Sequence, residues 1–506
     1  MSDTAADLPT PASDARAADA APPADAAAQA EGSSLRVLET VQTVLTALIL
    51  AFCFRTFMIE PFIIPTGSMA PTLLGAHLDL RCPRCAWAFA VGVDPDISGG
   101  SSVVELPTSA QCPNCMTSLE ISPAARPKAG DRILVHKWPF VAGGWLAPRH
   151  WDVIVFRDAA DPSLNFIKRL AALPGDEIEI IDGDVFINGA ILRKPRHVQE
   201  ALWLPVFDQR YVERPARTAQ WMAQAGWSGM QDRELAFAPA GERDSWSWLR
   251  LSSVDAAYYL RDHYGYNRTR ANAWVGDARL RMEVSAVEAD GELAFEIIRD
   301  GVYFTAILAA NGTASITRRY GSDEQLLVSG RLPGLRPGRP VAIEFGHLDC
   351  RVYLRVGSAE LSTTDEHYAP DIERLRREQR DQAIGLAMGA RGLRMRVGGL
   401  RVDRDVHYSY RDLETRRAFA GQPFRLGERE YFVLGDNSPR SHDSREWTRC
   451  GPHLEDDWAA GRYQIGTVRE DQIVGRAFLV YLPGLWSADA AGWLKLPDIG
   501  RVRVIR

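Results

Sequence analysis

Glu177 to Leu192 reads EIEIIDGDVFINGAIL, in which short β-branched and apolar runs are broken by glycine and aspartate. Alternating side chains of this kind suit a pleated, half-buried surface and predict strands joined by tight turns. The same texture recurs on both sides: RILVHK from Arg132, DVIVFR from Asp152, REYFVLGD from Arg429 and QIVGRAFLVYL from Gln472. The chain is therefore expected to be mainly β. Between Leu192 and Arg429 lies a long region of stricter alternation, with LRMEV from Leu280, ELAFEII from Glu292, VAIEF from Val341, RVYLRV from Arg351 and LRMRV from Leu393. One apolar face per run predicts a separate antiparallel sandwich over residues 205–410, inserted into the flanking strands. The charge-rich run from Asp371 to Gln382 predicts one amphipathic helix inside it, with a solvated face.

At 506 residues the chain exceeds one ordinary core, so several structural units are expected. A formal net charge of -6 gives no electrostatic reason to expect nucleic acid as a partner. Residues 1–35 are nearly all Ala, Asp, Pro, Ser and Thr, too polar to offset the entropy of ordering, and read as a disordered tail. Residues 36–59 follow, with an uncharged stretch from Thr40 to Phe54 between Glu39 and Arg55. That length predicts a transmembrane helix, and the absence of a small-residue cleavage site before Glu60-Pro61 weighs against a cleaved leader. Arg16, Arg36 and Arg55 lie on both flanks, so the positive-inside rule does not decide its orientation.

The seven cysteines are unevenly spread: Cys82, Cys85, Cys112 and Cys115 form CPRC and CPNC, whereas Cys53, Cys350 and Cys450 stand alone. Two such pairs within residues 78–120 resemble a zinc ribbon, whose knuckles present four thiolates to one ion. Disulfides compete if the segment lies outside the cytoplasm, and both readings stay open here. Either way the site is structural, because four ligands leave no open coordination position.

Candidate chemistry begins at EPFIIPTGSMAPTLLG, where Ser68 sits on a proline-bracketed, turn-prone loop. A serine hydroxyl needs a neighbouring base to become a nucleophile. FIKRLAALPGD, from Phe166, places Lys168 in an apolar run. Burial disfavours an ammonium, and bringing a lysine from about 10.4 to about 7 or 8 takes roughly 3 to 4.5 kcal/mol of differential interaction. A surface Lys168-Arg169 pair is the plainer reading of the dipeptide alone. His442 offers another base beside Asp443 in GDNSPRSHDSREW, but neighbours in an extended segment point to opposite faces, which favours the lysine.

Taken in order, IPTGSMAPTLLG, GDRILVHK from Gly130, FIKRLAALPGD and LGDNSPRSHDSREW from Leu434 resemble the catalytic motifs of the bacterial type I signal peptidases. The resemblance extends back to RTFMIEPF and leaves the tail, the cysteine segment and the sandwich outside it. It implies a coiled β-sheet or barrel catalytic domain in two parts, residues 60–204 and 411–506, behind a single N-terminal anchor. It further implies a membrane-bound serine endopeptidase of the bacterial inner membrane, with its catalytic domain on the extracytoplasmic side and signal-peptide-bearing preproteins as substrates. By position, Ser68 matches the nucleophile, Lys168 the general base and Ser441 the hydroxyl that orients the lysine. Thr66 matches a side chain of the oxyanion hole, Asp443 and Arg445 a supporting ion pair, and Asp436 and Asn437 the turn that sets Ser441. Catalysis so arranged needs no cofactor.

The sandwich loosely resembles a concanavalin-like jelly roll. Trp246, Trp248 and Trp274 are candidates for stacking on a sugar, although aromatics in sandwiches more often build the core, so a carbohydrate or protein ligand stays open. Two rival functions also stay open: a catalytically silent scaffold that binds a partner through its insertions, and a Ser-Lys protease dedicated to one substrate or to itself.

Overall fold

The computed structural model describes residues 39–52, 57–93, 106–138, 144, 147–212, 221–251, 260–267, 273–288, 290–299, 301–377, 384–410, 414–484, 486–487, 495–496 and 499–506. The expected tail of residues 1–35 lies outside them. The chain divides into two units, one ending at Met58 and one beginning at Ile59.

In the first unit residues 39–52 are helical. Val41, Val44, Leu45, Leu48, Ile49 and Phe52 are all exposed and share one face at i, i+3, i+4 spacing, while Leu50 is exposed on the opposite face. Thr43 and Thr46 turn their hydroxyls onto the carbonyls of Glu39 and Gln42, both at 2.8 Å, which leaves no hydroxyl proton seeking an outside partner. Among the described residues no helix is long and apolar enough to cross a membrane. The expected span of 36–59 is only partly described, and its last residue, Ile59, already opens a strand.

The second unit is built on an antiparallel sheet whose order is Ile59–Ile63, Arg132–His136, Ile473–Leu482, Val153–Arg157, Asn165–Ala172, Glu430–Leu434, Val468–Arg469. Both of its faces are covered. Val153 and Val155 pack with Ile133, Val135, Met69 and Leu73, whereas Ile154 and Phe156 pack with Leu170, Val433 and Trp447. Double coverage explains why DVIVFR is a continuous apolar run and not an alternating one. Ile59–Ile63 ends the sheet, and Pro61 falls on this edge strand, where a missing N–H disturbs least.

The stretch from Glu177 forms a meander of three strands, Glu177–Ile181, Asp184–Ile187 and Ala190–Ile191. Its two-residue turns are Asp182-Gly183 (φ 52° and 82°) and Asn188-Gly189 (φ 52° and 76°). Paired positive φ values are the type I′ geometry whose twist matches a hairpin. Two further sheets, of eight and seven strands, enclose one large apolar core that includes Phe207, Leu280, Phe295, Phe304, Phe345 and Met388. Their strands extend from Leu204–Asp208 to Arg394–Arg404, and these two pair with each other, so the sandwich is entered and left side by side.

That root is polar. Lys194 lies between Asp349 and Asp405, the latter at 2.8 Å, and Arg299 reaches Asp277 at 2.6 Å and Asp182 of the meander turn at 2.8 Å. The expected helix is described over Ile372–Arg377. Its Arg376 turns inward to Glu179, at 2.6 Å and 2.9 Å, so this face is not purely solvated.

Candidate active site and four-cysteine centre

Residues 64–75 form the loop that carries Ser68. Its ends are fastened by Asp131, whose backbone bonds Ile64 (3.0 Å) and Leu74 (2.8 Å) and whose buried carboxylate accepts from Leu74 N–H (3.1 Å) and Arg503 (3.0 Å). Within the loop Ala70 N–H donates to the Gly67 carbonyl at 3.0 Å, a tight turn that leaves Ser68 half-buried at its bend. Thr66 is half-buried on the same loop.

Lys168 lies in the strand Asn165–Ala172, and its side chain is only 4% exposed. Nζ donates to Ser68 Oγ at 2.6 Å, with the Phe166 ring centroid 5.9 Å away. Residues a hundred positions apart thus meet in one short hydrogen bond. The plainer reading of Lys168-Arg169 as a surface pair does not hold. Arg169 is fully buried and grips Asp436 through two parallel bonds, Nε to Oδ1 at 2.7 Å and Nη2 to Oδ2 at 2.6 Å. It also donates to the Trp151 carbonyl at 2.8 Å. A planar guanidinium with both carboxylate oxygens engaged is a rigid joint, and it locks the lysine's strand to the turn after Glu430–Leu434.

That turn carries the remaining candidates. Asn437 N–H donates to the Ser68 carbonyl at 3.0 Å, and its side chain donates to the Gly67 carbonyl at 2.8 Å. Asp443 accepts two bonds from the Arg445 guanidinium, at 2.9 and 2.8 Å, one from the Arg445 backbone N–H at 3.2 Å and one from Gly435 N–H at 2.9 Å. Burial pushes the Asp443 carboxyl up, but the Arg445 charge and hydrogen bonds outweigh it and hold the group below the usual carboxylate range. Asp443 is thus ionised, and its charge is offset by the paired Arg445 guanidinium. His442, the alternative base, is exposed, while the oxygens of the adjacent Asp443 are engaged by Arg445 and Gly435. Ser441 is fully buried, and its hydroxyl, beside Asp443, has no well-aligned hydrogen-bond partner among the described residues. It presses on Gly435, where a Cβ would lie 2.1 Å from Ser441 Oγ and 2.6 Å from the Ser68 carbonyl, so only glycine fits.

Sequence reasoning missed Arg169 as a site residue, and it missed a second group altogether. Tyr264, Tyr266 and Asn267, which belong to the stretch between the sandwich strands, reach the same turn and loop. Tyr264 donates to the Asp436 carbonyl at 2.9 Å, and Asn267 pairs with Asn437. Nothing in HYGYN, with neither period nor charge pattern, signals this role. The three tryptophans singled out earlier are engaged by arginines: Arg391 over Trp246 at 4.7 Å, Arg250 over Trp248 at 4.8 Å and Arg261 over Trp274 at 4.6 Å.

The two CPxC motifs each turn a hairpin. His77–Arg81 pairs with Ala88–Gly92, and Ser109–Gln111 with Ser118–Glu120. The turns repeat each other: Cys82 N–H donates to Trp87 O at 2.8 Å and Cys112 N–H to Thr117 O at 2.9 Å, with Ala86 and Met116 both at positive φ. The four Sγ atoms lie within 4.8 Å of one another, and Cys82–Cys115 and Cys85–Cys112 approach to 3.5 Å. A tetrahedron of thiolates with bonds of about 2.3 Å has edges of about 3.8 Å, so the spacing fits a zinc ion. The thiols themselves respond to crowding. Cys112 is pushed well up, first by its contact with Cys115, while Cys115 is held well down by hydrogen bonds from Cys112 and Cys85.

The profile of the family described as "Signal peptidase, peptidase S26" matches residues 115–220 and 361–482. These segments contain Lys168, Arg169, Asp436, Asn437, Ser441, Asp443 and Arg445, and they leave out Ser68 and Thr66. Curated relatives include the signal peptidase I of Pseudomonas fluorescens, 29% identical over 28% of this chain and 34% of the relative. That of Leptolyngbya laminosa is 26% identical over 34% of this chain and 61% of the relative. The chain thus spans between about a third and three fifths of the length of these relatives. Among solved structures, a carbohydrate binding module from Bacillus subtilis is similar over 37% of this chain and 97% of that one, at 6% identity. Its TM-score of 0.24 is too low to assign a ligand. The motif segments meet at one place in the fold, and the profile of the signal peptidase family, peptidase S26, falls both on the strand of Lys168 and on the turn from Asp436 to Arg445.

Proposed function

We propose that this chain is a membrane-anchored signal peptidase, which removes N-terminal signal peptides from exported preproteins by a Ser68-Lys168 dyad. The observation that carries this is the 2.6 Å hydrogen bond between a lysine only 4% exposed and a serine at the bend of a braced loop. In this reading Lys168, as the neutral amine, takes the proton of Ser68 as Oγ attacks the scissile carbonyl. The oxyanion is received by the Ser68 N–H and the Thr66 hydroxyl, an arrangement that in other enzymes contributes several kcal/mol per donor. Lys168 then gives the proton to the leaving amine, and water deprotonated by the same lysine releases the acyl group.

Ser441 holds a fully buried hydroxyl beside Asp443 with no well-aligned hydrogen-bond partner among the described residues, which costs stability unless it is used. It supplies the lysine with a hydrogen-bond partner as Ser68 becomes acylated and stops accepting. The preprotein's extended cleavage region adds as a strand to Ile59–Ile63, which ends the sheet and lies a few residues before Ser68. Residues 36–59 anchor the enzyme, so that its site faces the extracytoplasmic side next to the bilayer where signal peptides emerge. Cys82, Cys85, Cys112 and Cys115 hold a structural zinc, and catalysis itself draws on no cofactor.

The test is cleavage of a preprotein by the detergent-solubilised full chain. Ser68→Ala and Lys168→Ala should each abolish product while keeping the wild-type unfolding transition. Normal turnover in either variant would remove the dyad.

A further inference from the structure

The sandwich region is joined to the rest of the chain at its root, yet residues 260–267 leave it and pack against the loop that carries Ser68. The Tyr266 ring packs against Gly67 of that loop. A Cβ built on Gly67 would sit 2.1 Å from Tyr266 Cε1, and one on Gly92 would sit 2.3 Å from the same atom. The Tyr266 hydroxyl donates to the Ala76 carbonyl at 3.0 Å, and its own carbonyl accepts from Gly92 N–H at 2.9 Å. The ring thus bridges both ends of the segment between Gly67 and Gly92.

Asn267 acts one step further in. Asn437 fixes the Gly67-Ser68 backbone from two sides, through its side-chain Nδ2 on the Gly67 carbonyl and its backbone N–H on the Ser68 carbonyl. That works only while the Asn437 amide keeps Nδ2 toward Gly67, because a flipped amide would set two oxygens against each other. Asn267 Nδ2 donates to Asn437 Oδ1 at 2.8 Å, and Asn437 Nδ2 donates to Asn267 Oδ1 at 2.9 Å. This cyclic pair reads both atoms of the Asn437 amide. Asn437 is fully buried and Asn267 is 9% exposed at the edge of a cavity, so the pair is largely shielded from water. The segment is held in place from its far side as well: Tyr264 bonds the Asp436 carbonyl, Arg404 donates to the His263 carbonyl at 2.7 Å, and Pro113 of the second cysteine knuckle packs on Gly265.

We propose that Asn267, supported by Tyr266, is a positioning residue for Ser68: the inserted region completes the frame that aims the nucleophile. The proposal rests on the Ser68-Lys168 reading. Asn267 touches neither reacting atom and acts through Asn437, so its loss misorients the serine without changing what the substrate binds to. A small misplacement of reacting groups costs up to about a hundredfold in rate.

The experiment compares the full chain with its Asn267→Ser and Tyr266→Phe variants, by preprotein cleavage and by amide hydrogen exchange. Asn267→Ser should lower kcat by about tenfold to a hundredfold with KM within about twofold. Exchange should quicken across residues 64–76 and stay unchanged in the distant strand Thr313–Tyr320. Tyr266→Phe keeps the ring on Gly67 and removes one hydrogen bond, so its loss should run in the same direction and be smaller. A wild-type chain that cleaves nothing overturns the dyad reading, and the proposal with it. A cleaving wild type overturns the proposal alone in any of three cases: Asn267→Ser keeps its kcat, its effect falls on KM, or exchange rises throughout the chain.

Discussion

Two segments close on the Ser68 loop from different parts of the molecule. The turn of residues 435–445 comes from the strand sheet and is dense in charged and polar side chains. The stretch of residues 260–267 comes from the region between the sandwich strands and makes its contacts with tyrosines, an asparagine and backbone carbonyls. The turn can be recognised as a motif, since an ion pair such as Asp443–Arg445 needs those residue types at that spacing. The other segment can be exchanged for many sequences that place a ring and an amide, so it has no signature. Family resemblance therefore finds the first and passes over the second, although one holds the peptide of Ser68 directly and the other acts on it through Asn437.

Breaking the turn should have the largest effect. Arg169→Leu removes the guanidinium that satisfies both oxygens of Asp436 at 0% exposure and leaves an uncompensated buried charge. Losing one partner of such a pair typically costs about 3 to 5 kcal/mol. Denaturant unfolding should register that loss, and cleavage should vanish with it. A cost under about 1 kcal/mol would mean that Asp436 finds water or another donor there. Breaking the inserted segment should cost less. Tyr264→Phe deletes one bond to the Asp436 carbonyl and leaves a buried acceptor unpaired, a loss of about 1 to 3 kcal/mol. If both single variants and their combination add without coupling, the two segments hold the site independently. Coupling above about 0.5 kcal/mol would show that they act as one frame.

How much could be read in advance follows from the same contrast. Alternation and Asp-Gly and Asn-Gly breaks announced the meander, since type I′ turns require those residues at positive φ. Strands such as Thr313–Tyr320 and Asp323–Arg331 were passed over, because the row that should be apolar is itself broken, by Arg318 in the first and by Asp323 and Gln325 in the second. For Lys168 the Lys-Arg dipeptide alone favoured the surface, while the apolar run around it and then the resemblance argued for burial. The partner that buries its neighbour Arg169 is Asp436, 267 positions away, and no local window contains it. The polar root of the sandwich was equally hidden, since Lys194, Asp277, Asp349 and Asp405 come from four separate segments.

That root offers the mildest way to loosen one region from the other, by pH alone. Burial pushes Asp405 up to about 7, with Lys194 only partly opposing and Asp349 and Asp277 adding to the rise. A carboxyl raised above its unfolded value of 3.8 contributes stability that is complete below that value and lost as pH climbs through about 7. Asp184 is raised by burial and by Asp277 and runs the same way. His347 is lowered, first by burial and then by Arg299, so its contribution runs oppositely and is lost as pH falls through its unfolded value of 6.5. Asp277 is held far below the usual range by Arg299 and His347 against its burial, so it matters only in acid. The net slope of the wild type thus mixes signs, but the difference between wild type and Asp405→Asn isolates one of them. Between pH 5 and 8 the variant should gain on the wild type by on the order of 1 kcal/mol, read from urea midpoints across that window. Because the shift concerns a group in the root and not in the frame around Ser68, the relative kcat of the two proteins should stay flat over the same range. A difference that shrinks as pH rises would mean that Lys194 holds Asp405 charged in the folded chain.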